Sequence, residues 1–180
     1  KDICDLLARE GFVAFAPDLY KGKTISTIEE AEKQLSQNDA EYMQDIVSGA
    51  LTYLRAHTAV RGEAVGALGF SLGGSWAIGL STEMPADIAA VVFFYTTGGG
   101  DFSAARAVYL GHLGDNDEFE PEEGVHEMEQ TMRAAGRDVT IYIYSGAKHW
   151  FAEPDRPEYD PQAAKLAWQR TFAFLNETLR

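Results

Sequence analysis

Apolar and polar positions along this chain switch repeatedly between a period near 3.6 and short continuous apolar runs. The opening KDICDLLARE sets Ile3, Leu6 and Leu7 on one helical face and predicts an amphipathic helix capped by Gly11. Phe12 to Ala16 reads as a buried strand, ended by Pro17 in Pro17-Asp18-Leu19-Tyr20. Lys21 to about Thr27 is a polar loop. Glu29 to Leu35 predicts a helical turn or two, begun by Ser26 or Thr27, with Glu29 and Glu30 in its first turn. Asp39 to about His57 predicts a helix with Tyr42, Ile46, Val47, Ala50, Leu51 and Leu54 on one face. Ala64 to Gly69 is a strand and Leu72 to about Ser81 a helix rich in small residues. Ile88 to Tyr95 is apolar throughout, as expected of a strand buried on both faces. Thr96 to Ser103, with three successive glycines, is a loop. Ala107 to Leu113 is a strand, followed by GDNDEFEPEEG, then a helix from Glu122 to Ala135 ending at Gly136. Val139 to Tyr144 is a strand followed by SGAKHWFAEP. Asp160 to Leu179 is a closing helix that offers Ala164, Leu166, Ala167, Phe172 and Leu175 for packing.

Strands and helices alternating in this way predict one α/β domain over residues 1–180, a mostly parallel sheet with helices on both faces. Sites on such sheets lie outside the carboxyl ends of the strands. The loops that end there hold Tyr20, Ser71, Tyr95 to Gly100, Gly114 to Glu120 and Ser145 to Phe151.

A chain of 180 residues with 46% apolar content can bury a full core. Its net charge of −13 speaks against nucleic acid and anionic membranes as partners, because both repel an acidic surface. A single cysteine, Cys4, allows no internal disulfide and fits a reducing cytoplasm. No apolar run is long enough to span a bilayer, and the first residues do not read as a signal peptide. A monomer and a homodimer are both compatible with the sequence.

Candidate chemistry centres on Gly69-Phe70-Ser71-Leu72-Gly73, a G-x-S-x-G match set between a predicted strand and a predicted helix. In a nucleophile elbow the serine sits in a strained turn with its hydroxyl exposed, and glycines relieve the crowding there. A serine hydroxyl needs a base to take its proton. Of four histidines, His57 closes an amphipathic helix and His126 lies within a charged one. His112 is inside a strand and is expected to pack or hydrogen-bond there. His149 follows the last strand, where a base would have to stand. The orienting carboxylate is expected in the loop after Leu113, where Asp115 and Asp117 compete. The D-x-D spacing resembles the start of a calcium loop, but Glu120 occupies the place of the glycine such loops need, so no metal is expected. No cofactor is called for. The order serine, aspartate, histidine is that of an α/β-hydrolase.

Four stretches, LAREGFVAFAPDLY, GALGFSLGGSWA, GHLGDNDEFEP and SGAKHWFAEP, resemble the dienelactone hydrolase family of α/β-hydrolases, and the resemblance spans nearly the whole chain. It implies a triad of Ser71, Asp117 and His149. The family's carboxylate precedes an apolar residue and then a proline, as Asp117 does in Asp117-Glu118-Phe119-Glu120-Pro121, and this decides against Asp115. It implies the N–H of Leu72 as one oxyanion donor. Serine stands here where the family's best-known members carry cysteine, which implies a general esterase rather than a dienelactone enzyme. Glu153 stands where members that bind a substrate carboxylate carry arginine, which implies repulsion of anionic substrates. Tyr20, Phe70, Tyr95, Phe119 and Trp150 are the candidate pocket residues. The resemblance also implies that N-terminal strands are missing. One of them would lie between Phe12–Ala16 and Ala64–Gly69, and the loop after it would carry the second oxyanion donor. The chain is therefore expected to be a fragment, the alternative being that those two strands pair directly. The expected activity is hydrolysis of a small-molecule ester or lactone. Hydrolysis of a peptide or carbon–carbon bond, or a non-catalytic binding role, are its rivals.

Overall fold

The computed structural model describes residues 2–25, 27, 29–30, 33, 40–62 and 64–180. The chain divides into two compact units, residues 1–63 and 64–180.

In the first unit, α1 (Asp2–Arg9) and α2 (Ala40–Ala56) are the principal elements. Gly11 ends α1 at φ 86°, donating its N–H to Ala8 O at 2.9 Å while Phe12 N–H reaches Leu7 O at 3.1 Å. That is the paired closure a left-handed glycine makes possible. Thr27 Oγ1 accepts the N–H of Glu30 at 3.1 Å, so a cap forms where one was expected. The alternative cap Ser26, and the remainder of the turn to Leu35, lie outside the described residues. On α2 the deepest side chains are Met43 and Leu51, with Met43 absent from the expected face. The strand expected over Phe12–Ala16 does not form. A strand exists only through ladder hydrogen bonds, and among the described residues only the four strands of the second unit make them. Val13 and Phe15 stay 41% and 47% exposed, Phe15 resting on the ring of Tyr53 at 5.1 Å.

The second unit is built on four parallel strands in the order β1 (Val65–Phe70), β2 (Ile88–Phe94), β3 (Val108–Gly114) and β4 (Val139–Tyr144). Between them run α3 (Leu72–Glu83) and α4 (Glu122–Ala134), and α5 (Pro161–Leu179) follows β4. Tyr109 of β3 reaches Ser81 of α3 at 2.8 Å, while His112 reaches Thr171 of α5 at 3.0 Å. Residues 109 and 112 point to opposite faces of the strand, so helices cover both faces of the sheet. Asp160 caps α5 by accepting the N–H groups of Gln162 and Ala163, with Pro161 in the first turn. Leu166, expected to pack, is 40% exposed, and buried Thr171 takes a place in the helix face instead.

Register aligns the carboxyl ends of the strands. Phe70 pairs with Phe94, Phe94 with His112, and His112 with Tyr142. These side chains form one row of rings across the sheet, at centroid distances of 4.7, 4.7 and 6.1 Å. The guanidinium of Arg170 closes the row 3.7 Å over Tyr142. Arg170 also donates to the Tyr144 hydroxyl at 3.2 Å, and that hydroxyl meets His112 Nδ1 at 2.9 Å. Arginine can only donate, so Tyr144 turns its own proton to Nδ1, and Nε2–H of His112 serves Thr171. Burial first, then the charge of Arg170, pushes the His112 pKa down to about 3. His112 is thus a neutral core residue, as the sequence suggests. The unfolded chain takes up a proton near pH 6.5 that the folded chain refuses until about pH 3, so stability is full above 6.5 and falls as pH drops through this window. Urea unfolding is expected to register a loss of about 1–2 kcal/mol from this group between pH 7 and 5. A His112→Gln variant, whatever its absolute stability, should lack that increment.

Candidate active site

The site is assembled by loops that leave the aligned carboxyl ends of β1 to β4. At the end of β1, Ser71 takes φ 50° and ψ −123°, a conformation proper to glycine, and α3 starts at the next residue. Its N–H is fixed by Phe94 O at 2.9 Å, and its carbonyl accepts from Gly74 N–H at 2.8 Å. A β-carbon on Gly69 would lie 2.0 Å from Gly73 O, and one on Gly74 would lie 2.5 Å from Thr96 Cγ2. Gly73, the final glycine of the motif, has open space where a β-carbon would stand. The steric requirement therefore falls on Gly69 and Gly74. The N–H of Leu72, first in α3, has no acceptor within the helix and is available to a ligand.

His149 Nε2 stands 3.0 Å from Ser71 Oγ, and Nδ1 stands 2.8 Å from Asp117 Oδ2. The Asp117 side chain is fully buried and that of His149 is 5% exposed. Asp117 Oδ1 accepts the N–H groups of Phe119 and Glu120 at 2.9 and 3.2 Å. An ionised carboxylate can only accept, so the Nδ1 proton of His149 points to it and the Nε2 lone pair faces the serine hydroxyl. Asp115, the rival carboxylate, faces elsewhere: its Oδ1 accepts Gly146 N–H and joins the loops after β3 and β4. Those loops also meet through Asn116 N–H and Ala147 O at 3.1 Å. The approach is possible because Gly114 has no β-carbon, which would lie 2.0 Å from Ala147 O. The sequence reading missed Gly114, since nothing local distinguishes it from any glycine at a strand end.

The loop after β2 is held in the same way. Ser75 Oγ and Thr96 Oγ1 are 2.8 Å apart, and Glu120 Oε2 accepts both the N–H and the hydroxyl of Thr97. Burial raises the Glu120 pKa, and the Thr97 hydrogen bonds oppose the rise.

The candidate pocket residues separate into three groups. Phe119 and Trp150 meet the His149 ring at 5.0 and 4.7 Å, and Phe119 is 48% exposed. Trp150 holds φ 64°, uncommon for an aromatic residue. Tyr95 is corrected from pocket wall to support, while Phe70 is half-buried. Tyr95 is fully buried with its ring 4.9 Å from His149, and Phe70 lies in the ring row with Trp168 6.1 Å away. Strand alternation aims the Phe70 ring at α5, a consequence of register that a local reading does not contain. Tyr20 lies in the first unit, where its N–H donates to Asp18 Oδ1 at 2.9 Å. Within the second unit, His112 and His126 stay out of the site. His57 Nδ1 accepts from Ala59 N–H at 3.2 Å, and His126 pairs with Glu122 at 3.4 Å on exposed helix surface. Among the described residues no group of three or more His, Cys, Asp or Glu side chains is placed to hold a metal ion. No helix among them is long and apolar enough to cross a membrane.

The profile of the Dienelactone hydrolase family matches residues 1–179. A protein of Aquifex aeolicus (strain VF5) that carries the name carboxymethylenebutenolidase is 30% identical over 100% of this chain and 81% of its own length. A Bradyrhizobium protein named as a 2-oxo-3-(5-oxofuran-2-ylidene)propanoate lactonase is 32% identical over 97% of this chain and 76% of its own. The crystal structure of a Klebsiella pneumoniae protein that carries the dienelactone hydrolase name superposes with a TM-score of 0.86, at 26% identity, over 97% of this chain and 79% of that one. On the profile, the relatives and the fold together, this chain belongs to the dienelactone hydrolase family, and with it to the carboxylic ester hydrolases.

Proposed function

We propose that this chain is a serine hydrolase that opens a carboxylic ester or lactone through an acyl-enzyme on Ser71. The observation that carries the reading is the line of hydrogen bonds from Ser71 Oγ through His149 to Asp117, with the serine held at φ 50° ahead of a helix. His149 Nε2 takes the hydroxyl proton as Oγ attacks the carbonyl carbon. Leu72 N–H faces the oxygen that becomes negative, and one such donor is worth roughly two to three orders of magnitude in turnover. Asp117 keeps the proton on Nδ1 and stabilises the imidazolium. His149 then gives its proton to the leaving alkoxide, which in a lactone stays tethered to the acyl group. Water, activated by the same nitrogen, releases the acid. Relatives named as carboxymethylenebutenolidase and lactonase support a small unsaturated lactone as substrate. The net charge of −13 favours neutral substrates over anionic ones, and the lone Cys4 fits a cytoplasmic setting.

Fluorophosphonate labelling tests the nucleophile, and a panel of p-nitrophenyl esters against the matching anilides tests the bond. Labelling is expected at Ser71, with turnover confined to the esters. A folded protein that remains unlabelled would overturn the reading. The carboxylate is tested by comparing Asp117→Asn with Asp115→Asn. The first is expected to lower kcat by about four orders of magnitude, through the wrong imidazole tautomer. The second should stay within about tenfold, because the amide oxygen of the introduced asparagine can still accept the Gly146 N–H.

A further inference from the structure

Tyr95, Glu153, Arg156 and Trp150 form a continuous set of contacts around the His149 ring, and the chemistry just described leaves their role open. The Tyr95 hydroxyl donates to Glu153 Oε1 at 2.7 Å. Glu153 Oε2 lies 3.7 Å from Arg156 Nε, and the Arg156 guanidinium stands 4.6 Å over the Trp150 ring. Trp150 meets His149 edge-on at 4.7 Å, and the Tyr95 ring meets it from another side at 4.9 Å. Phe119 fills the remaining side, 5.0 Å from His149 and 5.3 Å from Trp150. Two members of this collar, Tyr95 at φ 36° and Trp150 at φ 64°, hold backbone conformations that persist only when their surroundings over-determine them.

We infer that Glu153 is a positioning residue: through Tyr95 it fixes the plane of the His149 ring so that Nε2 stays aimed at Ser71. This rests on the serine-hydrolase reading. The hydrogen bond from Nδ1 to Asp117 sets the tautomer but fixes only one edge of the imidazole. Ring rotation about that bond would swing Nε2 off the serine, and packing against Tyr95 and Trp150 opposes it. Tyr95 in turn is held by the carboxylate its hydroxyl serves. Burial first, then the charge of Glu153, raises the Tyr95 pKa, which favours the protonated hydroxyl that donates to Glu153. Glu153 stands where the resemblance leads one to expect a substrate-binding arginine. Its charge is instead turned inward, to Tyr95 and Arg156.

The charged and titratable groups about His149 are Asp117 and Glu120 from the loop after β3 and Tyr95 from the loop after β2, while Glu153 and Arg156 reach it only through Tyr95 and Trp150. Glu153→Gln keeps an acceptor for the Tyr95 hydroxyl and removes the negative charge, leaving Arg156 uncompensated. The kcat of Glu153→Gln should stay within about threefold of the unsubstituted protein. Glu153→Ala, which removes the acceptor, is expected to lower kcat on p-nitrophenyl acetate by about tenfold with KM within about twofold. Tyr95→Phe removes the donor and should show the same loss, and the double variant should be no slower than the slower single, because both break one bond. Thermal midpoints measured alongside exclude loss of folded protein. Full kcat in both Tyr95→Phe and Glu153→Ala, additive losses in the double variant, or a Glu153→Gln kcat as low as that of Glu153→Ala would each overturn the proposal. If the unsubstituted protein turns over no ester and takes no fluorophosphonate label, the hydrolase reading fails and the positioning role falls with it. If it is active and the variants match it, the positioning role alone fails.

Discussion

Ser71→Ala is expected to lower kcat on p-nitrophenyl acetate by roughly four to six orders of magnitude, with KM within about twofold. The substitution removes Oγ and leaves the His149–Asp117 pair intact, so binding persists while the acyl-enzyme cannot form. Ser71→Gly should be equally inactive and also more stable. The serine holds φ 50° and ψ −123°, where a β-carbon costs roughly 1–3 kcal/mol and glycine is at ease. Part of that gain is offset by the greater freedom of glycine in the unfolded chain, which leaves a net rise of about 1 kcal/mol. Urea unfolding of the two variants separates the effects. An inactive Ser71→Gly protein less stable than Ser71→Ala would mean that the elbow stores no strain.

Gly114→Ala is expected to damage both stability and activity through geometry alone. The added methyl would sit 2.0 Å from the carbonyl oxygen of Ala147, a backbone atom with no side-chain freedom to escape. Either the loops after β3 and β4 move apart or the strand ends shift. Overpacking of this kind costs about 1–3 kcal/mol or more. Because Asp117 and His149 hang from these two loops, a displacement of about 1 Å should also lower kcat by about a hundredfold. Denaturant midpoint and kcat are read together. Unchanged values in both would show that the loops yield without consequence.

The elbow was legible because its signal is local: a strand, a serine between glycines, and a helix lie within a few residues of one another. His149 and Asp117 were legible at one remove, since each follows a strand that the apolar runs mark out. The reading failed where structure depends on a distant partner. Phe12–Ala16 has the composition of a strand, but composition does not supply a neighbour to bond with. Tyr95 and Phe70 were assigned to a pocket wall because they adjoin the site in sequence. The burial of Tyr95 and the turn of the half-buried Phe70 ring toward α5 follow from strand register and from the α5 face, which are tertiary properties. The Thr97–Glu120 and Tyr95–Glu153 hydrogen bonds join residues 23 and 58 positions apart, and no spacing rule anticipates them. Gly74 and Gly114 matter for what would collide with them, which becomes visible only when the colliding backbone or side chain is in place.

The two halves of the site are joined very unequally. Asp115 N–H to Tyr144 O, Asn116 N–H to Ala147 O, Gly146 N–H to Asp115 and Asp117 to His149 tie the acid loop to the base loop. A single side-chain hydrogen bond, 3.0 Å long, links this assembly to the serine. His149 thus reaches position 71 already paired with Asp117, and under the proposed reading the nucleophilic atom is the interchangeable part. A hydroxyl here, and the thiol that the family resemblance leads one to expect, can be served by the same frame.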